Sequence, residues 1–242
     1  MVRKYLMEAL NHQINSAIKN RKMKRLFDLI FSTIILVLFT PFGFFIIIIL
    51  KFTGEGEILY IQSRIGKDDK EFGIFKFATM IKNSPNLGAG DITIKNDPRV
   101  LPFGKFLRKT KLNEFPQFIN VFLGSMSLVG PRPLVKNQNN LIPKIYKDKI
   151  SKLKPGITGI GSIIFRDEEK YLKDDKNLSN EFYKNEIVPF KSELESWYQD
   201  NKSIFLDFIL LIITALIVIK PKTNIYNRLI NNIPKHPLFN PS

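Results

Sequence analysis

The sequence predicts a mainly α-helical protein with minor β-structure, an α+β fold attached to a membrane. Two observations carry this prediction. Residues 29–50 (LIFSTIILVLFTPFGFFIIIIL) form a 22-residue segment without a charged side chain, which is long enough to cross the hydrocarbon core of a bilayer. Strand-like alternation is limited to 58–61 and 73–77, so the polar body of the chain contains few strands.

The composition restricts both the size of the fold and its chemistry. The 242 residues, 44% of them hydrophobic, suffice for one medium domain with a membrane element, and the net charge of +15 favours anionic partners. The absence of cysteine excludes disulfides, thiolate nucleophiles and cysteine-bound metals. The two histidines, His12 and His236, lie in peripheral segments. Any catalysis must therefore use carboxylates, hydroxyls, lysine, arginine or a hard cation bound by oxygen.

Residues 1–23 are expected to form an amphipathic helix. Apolar residues recur at helical spacing through this segment, at Leu6, Leu10, Ile14, Ala17 and Ile18. Such a helix either lies on the membrane surface or packs on the domain, and the pattern fits both placements equally.

Residues 24–51 are expected to enter the membrane, with a break at Thr40-Pro41-Phe42-Gly43. Pro41 removes a helix donor at the midpoint of the apolar segment, and the Thr40 hydroxyl is available to a backbone group that Pro41 frees. Each half then has roughly 10 residues, or about 15 Å, which reaches through one leaflet. Basic residues flank both ends. A re-entrant hairpin and a proline-kinked span fit these residues about equally.

Residues 52–220 are expected to form the polar domain. Residues 205–219 are apolar but short for a span, which indicates a buried or interfacial helix at its C-terminal end. Residues 221–242, rich in Asn, Pro and Lys, are expected to be loosely ordered.

The segment 111–133 (KLNEFPQFINVFLGSMSLVGPRP) holds the candidate chemistry. Asn113 is a favourable N-cap, Glu114 suits the first turn of a helix, and Gly124 ends it. A carboxylate at the positive end of a helix either binds or tunes a charged ligand or only satisfies the dipole.

Downstream, two prolines restrict the backbone on either side of Arg132. A guanidinium held in this way suits a pair of phosphate oxygens. Basic residues at 99, 105, 108, 109 and 111 add a cationic approach. The turn Lys154–Gly159 (KPGITG) is of the kind that lets backbone approach a ligand closely.

Several ordered motifs together resemble the bacterial sugar transferase family, the monotopic phosphoglycosyl transferases. The resemblance extends from about Lys24 to Val218. The motifs that carry it are KRLFD at 24–28 before the proline-broken segment, RIG at 64–66, FKFATM at 75–80, DPR at 97–99 with GKFLR at 104–108, LNEFPQ at 112–117, GSMSLVGPRP at 124–133, PGITG at 155–159 and NKSIFLD at 201–207.

The resemblance implies transfer of a sugar-1-phosphate from a UDP-sugar to polyprenyl phosphate, usually undecaprenyl phosphate, with release of UMP. It implies Mg²⁺, a re-entrant hairpin broken at Pro41, and a cytoplasmic domain at the inner membrane of a bacterium. In the family, an aspartate attacks the β-phosphate and the following glutamate acts through the metal. Glu114 is thus the expected metal ligand, and the expected phosphate or substrate ligands are Arg132, Arg64, Lys76, Arg99, Arg108 and Arg166.

This chain departs from the family pattern at three positions. Asn113 stands in the place of the nucleophilic aspartate, Ala78 in that of an arginine, and Ser125 in that of a frequent aspartate. Three explanations remain open: Glu114 is the nucleophile or assists direct attack by lipid phosphate, the protein binds substrates without turnover, or Asn113 is an engineered replacement.

Other classes fit the sequence less well. A nucleic-acid-binding protein would explain the charge but not the apolar segment, so no nucleic acid is expected as a partner. A membrane-surface adaptor would leave Glu114 and Arg132 unused. Arg166 contacts phosphate or uracil, or else forms a surface salt bridge. The sequence does not identify which UDP-sugar is the donor. A homodimer is one possible assembly.

Overall fold

The structure, a computed structural model, describes residues 2–87, 97–171, 176–220 and 225–239, and these form a mostly helical fold with short strands. Its helices are α1 Val2–Phe52, α2 Pro102–Lys109, α3 Gln117–Leu123, α4 Lys136–Asn139, α5 Lys144–Ile150, α6 Ile160–Ile164, α7 Lys176–Phe182, α8 Val188–Asn201, α9 Ile204–Ile219 and α10 Tyr226–Leu229. Its strands are β1 Leu59–Ile65, β2 Glu71–Phe77, β3 Ser127–Val129 and β4 Gly156–Thr158. The α+β prediction is confirmed.

Helix α1 runs without interruption through both segments that the sequence separates. The expected division after residue 23 is not a helix end, and the apolar face expected at residues 6–14 lies outside the side chains that the structure describes. Residues Ile18–Phe52 are long and apolar enough to cross a membrane. Helix assignment also continues through Pro41, so the re-entrant hairpin stays a prediction.

The Thr40 hydroxyl bonds within α1, one position away from the carbonyl that Pro41 frees. A proline leaves the carbonyl four residues earlier without its helical donor, which here is that of Val37. The Thr40 hydroxyl instead donates to the Leu36 carbonyl at 2.8 Å. The hydroxyl therefore bonds to a carbonyl that Pro41 does not free, in the pattern common for serine and threonine in helices.

The KRLFD segment fixes α1 to the domain. Arg25 donates to the carbonyls of Val121 and Phe122, both at 2.6 Å, and so satisfies the C-terminal end of α3. Asp28 is buried and accepts hydrogen bonds from the Ser127 hydroxyl and the Leu128 backbone N–H, both at 3.0 Å. Charged groups of α1 are thus part of the domain's interior.

A buried polar network joins α1 to α8, α9 and β3. Lys24 donates to Asp207 of α9 at 2.6 Å and to the Val129 carbonyl at 3.2 Å. Tyr198 of α8 donates to the other Asp207 oxygen at 2.5 Å. Because Asp207 is fully buried, its charge depends on these two donors.

Apolar packing attaches α1 to the domain on both sides of Pro41. Phe27 and Phe31 pack against the main core, which includes Leu128, Ile160 and Leu210. After Pro41, a second cluster joins Ile46 and Leu50 to Phe77 and Leu107. Phe39, which precedes Pro41, stacks on the Phe115 ring.

The sheet elements are two small pairs. Strands β1 and β2 form an antiparallel hairpin in which Leu59 pairs with Phe77 and Ile65 with Glu71, which agrees with the predicted strand segments. Strands β3 and β4 pair in parallel, Ser127 opposite Gly156. The hairpin carries the cationic side chains described below, and β3 leads into Arg132.

The C-terminal predictions have different outcomes. The apolar helix is confirmed as α9, with Ser203 capping the Leu206 N–H. The prediction of a loosely ordered tail is wrong for residues 225–239. Tyr226, Ile230 and Phe239 are buried in the main core, where the Phe239 ring packs against Phe165, the residue after α6, and Phe190 of α8.

Helices α1 and α9 leave a large apolar surface exposed. Isolated exposed apolar residues are ordinary, but a contiguous patch marks an interaction surface. The exposed residues are Ile30, Ile34, Val37, Leu38, Phe42, Phe44, Phe45 and Ile47–Ile49 on α1, and Phe205, Phe208, Ile212, Leu216, Val218 and Ile219 on α9. Together with the length of α1, they indicate membrane association.

We expect Lys24→Met to lower the free energy of unfolding by roughly 3–5 kcal/mol, because it leaves the buried Asp207 without its cation. Thermal unfolding in lipid nanodiscs, followed by circular dichroism, measures the effect. Lys22→Met, on the exposed side of the same helix, is the control and should change stability by less than about 0.5 kcal/mol. Equal stabilities of the two variants would contradict the structural role of Lys24.

Candidate active site

Glu114 lies in a 3₁₀ turn, Leu112–Glu114, rather than in the first turn of a helix. The prediction that Asn113 caps a helix is wrong: α3 begins at Gln117, Pro116 is its N-cap, and no side chain caps it. The Phe115 N–H bonds to the carbonyl three residues earlier, at Leu112, and Pro116 has no N–H to continue an α-helix from there. The predicted end of the helix at Gly124 is confirmed, with φ of 92°.

Glu114 is surrounded by cations. Arg132 contacts it at 3.4 Å from a guanidinium nitrogen to a carboxylate oxygen, and Lys76 and Lys111 add positive charge. Burial alone would raise the pKa of Glu114, but these three cations outweigh burial and hold the pKa below its ordinary value. Glu114 is therefore ionised at neutral pH.

The β1–β2 hairpin supplies Lys76 and a further cation, Arg64. Gln62 and Lys76 lie on one face of the hairpin with Arg64, and the Gln62 side-chain oxygen accepts from Arg64 at 2.7 Å and from Lys76 at 3.2 Å. Asn120 of α3 bonds to the backbone on either side of Ile74: it accepts from Phe75 N–H and donates to the Gly73 carbonyl. The hairpin face is thus fixed relative to the turn that carries Glu114.

Lys76 and Arg108 complete the cluster. Burial lowers the pKa of Lys76 to about 8; Glu114 opposes this decrease, while Arg64, Arg132 and Arg108 add to it. Burial likewise lowers the pKa of Arg108, which donates to the Thr79 hydroxyl at 2.8 Å. The excess of positive charge around one carboxylate is suited to a polyanion such as a diphosphate.

Close backbone packing positions Arg132. A Cβ on Gly130 would approach the Lys154 carbonyl to 2.3 Å, and one on Gly156 would approach the Gly130 nitrogen to 2.2 Å. The Gly130 and Gly156 N–H groups also donate across this contact, to Thr158 and Pro131. The KPGITG turn therefore packs against the backbone beside Arg132. Its Pro155 also lines the cavity described below, and the approach of a ligand to this turn stays a prediction.

Five predicted site residues are brought together, namely Arg64, Lys76, Arg108, Glu114 and Arg132. Arg99 is placed elsewhere, in a buried ion pair with Asp97 at 2.7 Å, and it also donates to the Ser84 carbonyl at 2.7 Å. This contradicts its expected placement as a substrate ligand. Arg166 is exposed and donates to the Ile217 carbonyl of α9, while its side chain also lines the cavity described below.

The positions that depart from the family pattern have ordinary local environments. Asn113 is half-buried in the same turn as Glu114. Ala78 is buried. The Ser125 hydroxyl donates to the Asn120 carbonyl and accepts from the Asn120 amide, both at 3.2 Å.

A cavity of about 750 Å³ adjoins the cationic cluster. Its wall includes Lys111, Glu114 and Arg132, and also Tyr183, Lys191 and Glu195 farther along the chain. Its volume matches that of typical ligand sites. The sequence interpretation missed Gln62, Asn120 and Glu195. The sequence does contain a signal for Glu195: its helical spacing from Val188 and Ser192, both buried in α8, places this acidic residue on the buried face of the helix.

The oxygen donors at this site suit a metal ion only together with a substrate. Among the described residues, no group of three or more carboxylate, histidine or cysteine side chains is arranged to hold a metal. Mg²⁺, however, commonly uses one or two carboxylates together with substrate phosphates and water. Glu114 fits that arrangement, with the phosphates supplying the other ligands.

The fold and this site define a membrane-associated protein with a cavity beside a cluster of cationic side chains. A profile of the family described as bacterial sugar transferase matches residues 19–221, and the chain belongs to this family. Its members named below are phosphoglycosyl transferases, and the resemblance that the sequence motifs indicate is confirmed.

Three relatives illustrate the similarity. The chain is 40% identical over 146 residues to UDP-glucose:undecaprenyl-phosphate glucose-1-phosphate transferase of Escherichia coli, covering 60% of this chain and 31% of the relative. It is 32% identical over 219 residues to undecaprenyl-phosphate galactose phosphotransferase of Salmonella typhimurium, covering 83% and 41%. It is 35% identical over 146 residues to UDP-N-acetylgalactosamine-undecaprenyl-phosphate N-acetylgalactosaminephosphotransferase of Aeromonas hydrophila, covering 59% and 34%. The chain thus spans less than half the length of each relative.

We expect UDP binding to weaken as the pH rises through about 8, because Lys76 is charged below this pKa and neutral above it. If the bound diphosphate keeps Lys76 protonated, the dissociation constant should rise roughly eightfold from pH 7.5 to 9. Calorimetry with UDP in EDTA measures the change without a metal. Lys76→Arg should lose this dependence because its guanidinium stays charged. The same increase in dissociation constant for both proteins would show that Lys76 does not cause the pH dependence.

Proposed function

We propose that this protein transfers a sugar-1-phosphate from a UDP-sugar to polyprenyl phosphate, such as undecaprenyl phosphate, and releases UMP. One observation carries the proposal: Arg64, Lys76, Arg108 and Arg132 surround ionised Glu114 in a domain attached to a long apolar helix. The cations match the diphosphate of a donor and the phosphate of an acceptor. The names of the relatives supply the chemical identity of both substrates.

In the proposed reaction, an oxygen of the lipid phosphate attacks the β-phosphorus of the UDP-sugar. A new phosphorus–oxygen bond forms between lipid phosphate and sugar phosphate. The bond from the β-phosphorus to the bridging oxygen breaks, and that oxygen leaves on UMP with its electron pair. Arg132 and Lys76 stabilise the charge that develops on the phosphoryl oxygens and on the departing UMP.

Direct attack follows from the residues at positions 113 and 114. The amide of Asn113 is a poor nucleophile. The Glu114 carboxylate is stabilised by Arg132, Lys76 and Lys111, which lower its pKa and therefore its tendency to attack phosphorus. Its proposed role is to orient the cations and, with the substrate phosphates, to hold Mg²⁺. When bound, Mg²⁺ would neutralise phosphate charge.

The proposed location is the cytoplasmic face of a bacterial inner membrane. Phe31 and Leu50, on opposite sides of Pro41, both pack on the same domain, which supports a re-entrant hairpin with both ends on one side. Residues 52–220 would then lie in the cytoplasm, where UDP-sugars are found. The exposed apolar faces of α1 and α9 would enter the leaflet beside the site. A homodimer remains a proposal.

A second function is favoured by Asn113 alone. Without the family aspartate, the protein could bind nucleotide sugar or lipid phosphate and serve as a scaffold without turnover. The cationic cluster fits this role equally well. UMP production distinguishes the two functions.

We expect the protein to release UMP from one or more of UDP-glucose, UDP-galactose and UDP-N-acetylgalactosamine, with undecaprenyl phosphate and Mg²⁺ present. Glu114→Ala should lower the rate by about a hundredfold or more, because the cation cluster loses its central carboxylate. Glu193→Ala, at an exposed position of α8, is the matched control and should be fully active. A wild type that is silent while Asn113→Asp is active would support the scaffold role.

We also expect no covalent intermediate. Intact-mass measurement after incubation with UDP-sugar and Mg²⁺, but without acceptor, should find the unmodified protein. Asn113→Asp should gain the mass of one sugar phosphate, since it restores the nucleophile implied by the family. A sugar-phosphate adduct mapped to Glu114 in the unaltered protein would replace direct attack with a covalent route.

A further inference from the structure

Glu195 is a buried carboxylate in the wall of the cavity, at a distance along the chain from the cationic cluster. Glu195 is 8% exposed, and the Gly161 N–H donates a hydrogen bond to its carboxylate. A Cβ on Gly161 would lie 2.5 Å from Oε1 of Glu195, so a larger residue at this position would displace the carboxylate. The other oxygen, Oε2, has no hydrogen-bond partner among the residues that the structure describes.

An unsatisfied buried carboxylate is costly, and burial raises the pKa of Glu195 to about 7. The charge of Lys191 opposes this increase only in part. Lys191 forms a salt bridge with Glu168 and lies over the Phe165 ring, 5.1 Å from its centroid. Buried polar groups are normally satisfied, so an exception in a cavity wall calls for a ligand.

We propose that Oε2 of Glu195 accepts a hydrogen bond from a hydroxyl group of the UDP-sugar and thereby contributes to donor selection. This proposal rests on the proposed function. It assigns the neutral, hydroxyl-bearing part of the donor to the wall of α8 and α6, while the diphosphate lies at Glu114 and Arg132.

The layout of the cavity supports this division. The charge of Arg132 acts on the phenol of Tyr183, and Lys191 lies 5.9 Å from the Tyr183 ring, so the wall continues from the cationic cluster toward Glu195. A diphosphate would satisfy the cations at Arg132 but would be repelled by a carboxylate. A hydroxyl carries no charge and can donate to the Glu195 carboxylate, as ribose hydroxyls do to acidic residues in nucleotide-binding proteins.

Two parts of the donor carry hydroxyl groups, the ribose and the transferred sugar. Calorimetry on the full chain in lipid nanodiscs should use UDP, 2′-deoxy-UDP, UDP-glucose and UDP-galactose. We expect Glu195→Gln and Glu195→Ala to weaken UDP-sugar binding by roughly tenfold to a hundredfold, the range for a hydrogen bond to a charged group. Glu193→Gln, at an exposed position of the same helix, should bind as wild type.

The ligands identify which hydroxyl is bound. If the Glu195 variants lose affinity equally for UDP and the UDP-sugars but not for 2′-deoxy-UDP, Glu195 binds the ribose 2′-hydroxyl. If they also lose affinity for 2′-deoxy-UDP, Glu195 binds the 3′-hydroxyl. A loss for the UDP-sugars with UDP unchanged assigns the transferred sugar. Each of these results supports the proposal.

Thermal stability separates ligand binding from a structural role. Glu195→Gln removes an unsatisfied buried charge, so the melting temperature without ligand should stay equal or rise while the increase caused by UDP-sugar shrinks. Wild-type affinity in both Glu195 variants would overturn the proposal and leave the proposed function intact. A wild type that binds no UDP-sugar would overturn both.

Discussion

The buried contact between Lys24 and Asp207 is the constraint on which the arrangement of this protein depends. It joins the long apolar helix α1 to α9, and Tyr198 brings α8 to the same carboxylate. Lys24 also reaches the carbonyl of Val129, directly before the turn that carries Arg132. The charge of fully buried Asp207 is stable only when it is paired and hydrogen-bonded, so α1 and the turn that carries Arg132 must be positioned together.

In contrast to the paired charges of Lys24 and Asp207, the charged groups at the cavity are not fully paired within the protein. Around Glu114, the cations outnumber the carboxylate, and their mutual repulsion is relieved only when an anion enters. Lys76 is the clearest sign of this imbalance, because burial near other cations lowers its pKa to about 8. At Glu195 a carboxylate lacks a donor. Both groups are imperfectly satisfied within the protein, as expected where a ligand completes the interactions.

The exposed apolar faces of α1 and α9 relate this pocket to lipid. Lys24 and Arg25 fix one part of α1 to the domain, and Ile46 and Leu50 fix a later part. Between these contacts, the apolar side chains of Val37, Leu38 and Phe42 are exposed. This arrangement places the cationic cluster beside the surface that would contact lipid, as the proposed reaction between a soluble donor and a lipid acceptor requires.

The sequence by itself determined the α+β class, the apolar segment, the hairpin strands, helix α9 and most of the cationic cluster, since these depend on local periodicity and recognisable motifs. Only the tertiary structure decided that Arg99 pairs internally with Asp97, that KPGITG packs against Gly130, and that residues 225–239 join the core. These outcomes depend on which distant groups satisfy a charge, a backbone donor or an apolar face, and local sequence does not specify those partners.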